Sequence, residues 1–170
     1  METQKGKEEE ESGTGGGPPP QTTVTPADDG MIDLGAVQAA VDEQNTFSRM
    51  VVCTATRVLA ASYPVGGEGG AVASHLAGAF ADRTETVKNG IMLENVLFDV
   101  HRFYDNLIYG RRGHDEHTSG FGIVQFPREA FSDYVYIAVS FEQPMTTARA
   151  MPLLHRFAMQ RILPLVVGSA

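Results

Sequence analysis

The chain has 170 residues but only one cysteine, and it contains no long apolar run. One thiol cannot form an internal disulfide, so Cys53 indicates a chain built for a reducing compartment. A spanning helix needs roughly 18 or more apolar residues in succession, so we expect no transmembrane segment. The N-terminal residues have no apolar segment that would indicate a secretory signal, and neither a myristoylation site nor a C-terminal prenylation cysteine is present. Any membrane association is therefore expected to depend on partners.

The chain also lacks a cluster of basic residues. The formal net charge is −8, and residues 1–30 hold seven acids and two lysines, a net −5 that leaves −3 for the remainder. Binding to a phosphate backbone requires clustered Lys and Arg, and Arg111 with Arg112 are too few. The sequence therefore argues against a nucleic-acid partner.

Residues 1–30 differ in composition from the rest of the chain. Four consecutive glutamates, Glu8 to Glu11, are followed by three glycines, three prolines and a Thr-rich stretch. Such a segment has too little apolar surface to offset the entropy of ordering it, so we predict a disordered acidic and Gly/Pro-rich tail. A solubilising role is favoured over a short binding motif. Residues 31–170 are predicted to form the folded domain.

Hydrophobic periodicity predicts an α+β domain. Helical spacing predicts helices over residues 32–44, 71–88 and 146–163. Apolar or alternating runs predict strands over residues 50–53, 58–63, 96–103, 121–126 and 134–141, with a return strand beginning at residue 107. The first two strands are close enough to form an antiparallel hairpin. Pro127 is predicted to stop its strand, and Pro152 to lie in the first turn of the last helix or to kink it.

Motifs that could carry chemistry are weak. Gly66 to Gly70 precede a helix, as phosphate-binding loops do, but the Lys-Ser/Thr pair is missing and Glu68 would repel an anion. His114 to His117 contain metal-ligand types, but we interpret them as part of a polar loop over residues 110–122. Cys53 lies among apolar residues, which favours a core residue over a nucleophile. We therefore expect no enzyme, and no catalytic, cofactor-binding or metal-binding residues.

Four stretches resemble the Roadblock/LC7 domain family. Residues 47–64 (FSRMVVCTATRVLAASYP) are similar to its first hairpin, 71–82 (AVASHLAGAFAD) to its central helix, 94–111 (ENVLFDVHRFYDNLIYGR) to its third and fourth strands, and 134–141 (YVYIAVSF) to its fifth. Within the family, the chain is most similar to subunits of Ragulator, the late endosomal/lysosomal adaptor. The resemblance implies a profilin-like α-β-β-α-β-β-β-α fold with an antiparallel central sheet flanked by helices. Residues 110–133 are longer than the usual connection there.

The resemblance also implies a function. It implies a non-catalytic, dimerising scaffold that docks small GTPases or partner subunits in an endolysosomal signalling complex. Two alternatives stay open: a roadblock-type dynein light chain that binds dynein intermediate chain, and a longin- or profilin-like adaptor for trafficking or actin. The implied location is cytoplasmic, at the late endosome or lysosome surface or with microtubule motors.

Proteins of this family pair through the central helix and a sheet edge, as a homodimer or a heterodimer. A five-stranded sheet with helices mainly on one face would leave an edge and a face to be covered. We therefore predict an interface formed by one set of helix and strand residues: Val72, His75, Leu76, Ala79, Phe80, Arg83, Val96, Phe98 and Val100.

Overall fold

A computed structural model describes residues 32–67, 69–113, 118–129 and 132–166. The predicted tail of residues 1–30 and the His114–His117 motif lie outside the described residues.

The described residues form a mixed α+β structure, which confirms the predicted class. The helices are α1 (Leu34–Glu43), α2 (Gly69–Ala81), α3 (Arg83–Asn89), α4 (Thr147–Phe157), a π-helical segment (Ala158–Ile162) and α5 (Leu163–Val166). The strands are β1 (Arg49–Cys53), β2 (Val58–Ala61), β3 (Ile91–Leu93), β4 (Val96–Phe103), β5 (Leu107–Arg111), β6 (Gly120–Arg128) and β7 (Asp133–Phe141).

Within the described residues, the strands form one seven-stranded sheet in the order β2-β1-β7-β6-β5-β4-β3. All pairings are antiparallel, and the predicted first hairpin is confirmed by the register Val52↔Ala60. The sheet exceeds the predicted five strands chiefly because β3 adds an edge beside β4. The prediction that Pro127 ends its strand is wrong, because Pro127 pairs with Tyr134 near the end of β6.

Helices cover both faces of the sheet, not mainly one as the sequence suggested. On one face, α1, α4, the π-helical segment and α5 pack on apolar residues that include Met50, Val52 and Ile137. On the other face, α2 packs on residues that include Val51 and Ala138. The reason lies in β1 and β7, which are apolar on both sides and so need cover on both.

The predicted helix over residues 71–88 is two helices. The side chain of Asp82 accepts a hydrogen bond from the amide of Glu85 at 3.0 Å and so caps the start of α3. The hydroxyl of Thr86 donates to the carbonyl of Ala79 at 2.8 Å and ties α3 to the end of α2.

The last helix begins at Thr147, so Pro152 lies inside it and beyond the first turn. The π-helical segment ends where the amide of Leu163 donates to the carbonyl of Ala158. Pro164 follows at once. Because proline has no amide hydrogen and its ring crowds the carbonyl four residues earlier, a locally widened helix accommodates it better than a regular one.

Candidate interaction surface

The predicted interface residues divide between the interior and the surface. Leu76, Ala79 and Phe98 are only 0%, 7% and 3% exposed, because the chain's own core covers them. Their side chains are not available at the surface of the structure. Val96 and Phe98 of β4 do not lie at the sheet edge that the sequence suggested, because β3 pairs with them there, whereas Val100 lies beyond the last register partner of β3. The contribution of the remaining residues to an interface stays a prediction.

The more accessible residues do not lie together, and Val96 lines a small cavity apart from the others. Val72 and His75 line one cavity, together with Leu76. Arg83 and Val100 line another, smaller one. Phe80 is half-buried between Phe103 and Tyr136, with ring centroids 6.0 Å from each. The structure therefore does not join the predicted residues into one continuous patch.

The larger of these cavities, which we call the α2 groove, has a volume of about 680 Å³. One wall is the N-terminal half of α2, with Val72 and His75, and the other is the β3–β4 hairpin, with Met92 and Leu93. The segment from Tyr63 to Gly67 closes one end. Binding sites for small molecules in proteins span about 300–1,000 Å³, so the groove is large enough to receive several side chains of a partner.

A smaller cavity of about 170 Å³, the inner pocket, adjoins the α2 groove. The two cavities share the lining residues Tyr63, Leu93 and Glu94. Apolar side chains of Val51 and Phe98 lie on the interior side of the inner pocket. Besides Tyr63 and Glu94, its polar lining residues are Ser48, Arg49, Arg112, Ser119, Ser140 and Glu142. Buried apolar side chains and charged side chains therefore both line the inner pocket.

An ion pair between Arg49 and Glu94 lies where the two cavities meet. The Arg49 guanidinium also lies over the ring of Tyr63, 5.9 Å from its centroid. Burial raises the pKa of Tyr63 above its ordinary value, and the positive charge of Arg49 offsets only part of that rise. Tyr63 is therefore a neutral phenol at physiological pH, able to donate a hydrogen bond to a ligand.

A further apolar pair lies at the sheet edge. Met92 of β3 and Leu97 of β4 are register partners. They point away from Ile91 and Phe98, which face the core beneath α2, because side chains alternate along a strand. Met92 is 46% exposed and Leu97 is 51% exposed. Since Met92 also lines the α2 groove, exposed apolar surface continues from the groove onto the outside of the hairpin.

The structure offers no support for chemistry at Cys53. The side chain is fully buried, and burial raises the pKa of the thiol to about 12. This agrees with the interpretation of Cys53 as a core residue. Among the described residues, no three His, Cys, Asp or Glu side chains are placed to share a metal ion. No helix in the described part of the chain is long and apolar enough to cross a membrane.

Comparison with known proteins places the fold. No protein-family model matches the chain, and no curated protein is similar to it in sequence. Among solved structures, a Schizosaccharomyces pombe profilin is 19% identical with a TM-score of 0.56, covering 72% of this chain and 93% of its own. Acanthamoeba castellanii profilin II is 20% identical with a TM-score of 0.54, covering 72% and 93%. Myxococcus xanthus MglB is 5% identical with a TM-score of 0.41, covering 75% and 85%.

The profilin likeness confirms the profilin-like fold that the family resemblance implied. At 19% and 20% identity it shows the fold alone. The likeness to MglB is too distant to carry an argument. The Roadblock/LC7 assignment, and the closer relation to Ragulator subunits, rest on the sequence resemblance.

Proposed function

We propose that this chain is a non-catalytic adaptor that binds another protein through the α2 groove. The observation that carries the proposal is the apolar surface of the groove, where Met92 is exposed and Val72 and Leu93 are partly buried against the core. Contiguous apolar surface on a folded domain marks sites of protein association, because burying it against a partner removes it from water.

The finer proposal is a dimerising scaffold that docks small GTPases or partner subunits in an endolysosomal signalling complex. It is supported by the four stretches that resemble Roadblock/LC7 proteins, and by the position of Val72 and His75 on one wall of the groove. The two edge strands of the sheet are short, with four residues in β2 and three in β3, so each offers little backbone for sheet extension. Association of side chains in the groove, with a second copy or a related chain, is therefore favoured over edge-to-edge pairing. The proposed location is cytoplasmic, at the late endosome or lysosome.

A second candidate is a longin- or profilin-like adaptor for trafficking or actin. The observation that favours it is the fold, which is shared with profilins over 93% of their length. No observation in the structure favours the dynein light chain over these two. A shared fold does not identify a partner, so the candidates are separated by direct binding.

The test uses the purified full chain. Light scattering after size-exclusion chromatography measures self-association, and calorimetry measures binding to a Rag-type GTPase, to monomeric actin and to a dynein intermediate chain. Met92→Glu places a charge in the groove. Met159→Glu is the matched control, because Met159 has a similar exposure of 49% but lies on the π-helical segment.

We expect one of these associations to weaken by about tenfold or more in Met92→Glu, since a desolvated charge costs more than about 1.4 kcal/mol. Met159→Glu should leave it unchanged. A chain that stays monomeric and binds none of the three proteins contradicts the proposal. Equal weakening of binding by both variants would indicate that the partner does not bind in the groove.

A further inference from the structure

We propose that the Arg49–Glu94 ion pair is a latch that holds the β3–β4 hairpin over the inner pocket. Release of the latch would join the inner pocket to the α2 groove. A role of this latch in regulating partner binding rests on the proposed function. The opening of the hairpin does not rest on it.

The first observation is topological. In the sheet order β2-β1-β7-β6-β5-β4-β3, four strands separate β1 from β3. Nevertheless, Arg49 at the start of β1 forms an ion pair with Glu94 in the turn between β3 and β4. The sheet is therefore curled, and the ion pair crosses the open side of the curl. A contact in this position holds the free hairpin against the opposite side of the sheet.

The second observation concerns the turn itself. Glu94 and Asn95 form its two central positions, with positive φ values of 47° and 63°. Two-residue turns of this kind favour Asn followed by Gly, and a glutamate with positive φ is uncommon. Turn chemistry therefore does not explain Glu94. The reach of its carboxylate to Arg49 does, and residues held in a sparsely populated backbone conformation are often functional.

The third observation is what the hairpin covers. Val51, Phe98 and Ala138 line the inner pocket yet are only 2%, 3% and 2% exposed. Leu93 and Glu94 line both cavities, so any outward movement of the turn enlarges both at once. Opening would add apolar surface to the α2 groove, which is the kind of surface that a protein partner buries.

The strength of the latch suits a reversible device. The side chain of Arg49 is 54% exposed and that of Glu94 is 23% exposed. An ion pair of this exposure contributes modestly and is screened by salt. The pair therefore shifts an equilibrium between closed and open hairpins and does not lock the closed one.

The experiment measures access to the inner pocket in the full chain. Ala138→Cys places a thiol in its lining, and alkylation by N-ethylmaleimide is followed by peptide mass spectrometry, which distinguishes this thiol from Cys53. Cys53 reports global unfolding, because it is fully buried. In the Ala138→Cys background, Glu94→Gln should raise alkylation at position 138 by about two- to fivefold and leave Cys53 unchanged. High salt should also raise alkylation at position 138 in Ala138→Cys alone, but should have little further effect when Glu94→Gln is present.

Two controls isolate the ion pair. Asn95→Gly alters the same turn while retaining both charges, so alkylation at position 138 should not rise. The double reversal Arg49→Glu with Glu94→Arg restores an ion pair and should return alkylation towards the parent rate. No partner protein is present in this experiment, so its result does not depend on partner binding. The latch can therefore be disproved while the groove is shown to bind a partner, and the groove can be disproved while the latch is shown to open.

The proposal is overturned if Glu94→Gln does not change the rate of alkylation at position 138. It is also overturned if that rate rises only in parallel with the rate at Cys53. If Ala138→Cys does not fold, amide hydrogen exchange of Ile91 and Leu93, which pair with Phe98 and Val96, replaces alkylation. Faster exchange in Glu94→Gln at these two amides, without faster exchange in β7, supports the latch, and unchanged exchange overturns it.

Discussion

Gly110 in β5 lies against the main chain of Asp99 in β4, so closely that a Cβ on Gly110 would fall 1.7 Å from the Asp99 carbonyl oxygen. The register Val100↔Gly110 shifts between Val100 and Arg102, where an irregularity brings the two backbones together. Any side chain at position 110 would have to separate the strands. This contact controls how β4 and the hairpin beyond it join the sheet.

Gly110→Ala should therefore lower the free energy of unfolding by about 2 kcal/mol or more, since two backbones must move to admit one methyl group. Gly78→Ala is the control, because Gly78 lies on α2 with nothing within 4 Å of the added Cβ. It should raise the free energy of unfolding by up to about 1 kcal/mol, from helix propensity. Urea denaturation measures both, and a similar change in the two variants would contradict the prediction.

The parts of the fold that the sequence predicts well are those with long, regular patterns. The strand predicted over residues 96–103 matches β4, and the run predicted over residues 134–141 lies within β7. β3 could not be found because three residues following Gly90 show no period. The end of α2 was not predicted because the pattern of apolar residues continues across residues 82 and 83. Only the capping carboxylate of Asp82 marks the boundary between α2 and α3.

The candidate surface was predicted less well, for a physical reason. The resemblance directed the prediction to the central helix and the adjoining strand, where Leu76, Ala79 and Phe98 are apolar. A residue buried under its own sheet and a residue buried under a partner require the same pattern, so spacing cannot distinguish them. Met92, by contrast, is exposed in the groove but lies in the strand that periodicity could not detect.

Asp82 should be replaceable by Asn but not by Ala. Its carboxylate accepts the amide of Glu85 at the start of α3, and Asn offers an equivalent oxygen whereas Ala offers none. Asp82→Ala should cost about 1 kcal/mol in the free energy of unfolding, and Asp82→Asn should cost much less. Thermal and urea denaturation test this. Equal losses would mean that the carboxylate charge, and not the cap, is what stabilises α3.

Arg128 should contribute more to stability than an exposed arginine with a similar partner. Its side chain is 4% exposed, donates from Nε to the carbonyl of Val166 at 3.2 Å, and pairs with Asp133 at 3.1 Å. Arg128→Met removes both contacts and leaves the partner groups without this donor, so we expect a loss of about 2–4 kcal/mol.

The matched control for Arg128 is Arg161→Met. Arg161 pairs with Glu43 at 2.5 Å, but the two side chains are 49% and 64% exposed. A pair in that setting should contribute at most about 1 kcal/mol. Urea denaturation of the two variants at one salt concentration gives the comparison, and a larger loss in Arg161→Met would contradict the assignment of Arg128 as the stabilising contact.

Cys53 should make the protein less stable as the pH rises above 9. Burial raises the pKa of its thiol from 9.0 to about 12, so above pH 9 the unfolded chain loses this proton while the folded chain keeps it. The unfolded state then binds fewer protons, and stability falls with rising pH. The contribution is complete below pH 9 and is lost progressively towards pH 12, with about 1.4 kcal/mol lost by pH 10.

Cys53→Ala isolates this contribution, because Tyr63 and Tyr136 also have raised pKa values from burial and act in the same direction at higher pH. The variant should be less stable at neutral pH from the lost packing, yet its stability should fall less steeply between pH 9 and pH 10. Urea denaturation across this interval measures the slope. Parallel curves for the parent and the variant would show that the thiol ionises in the folded chain as easily as in the unfolded one, and that Cys53 is not held in the core beneath α2.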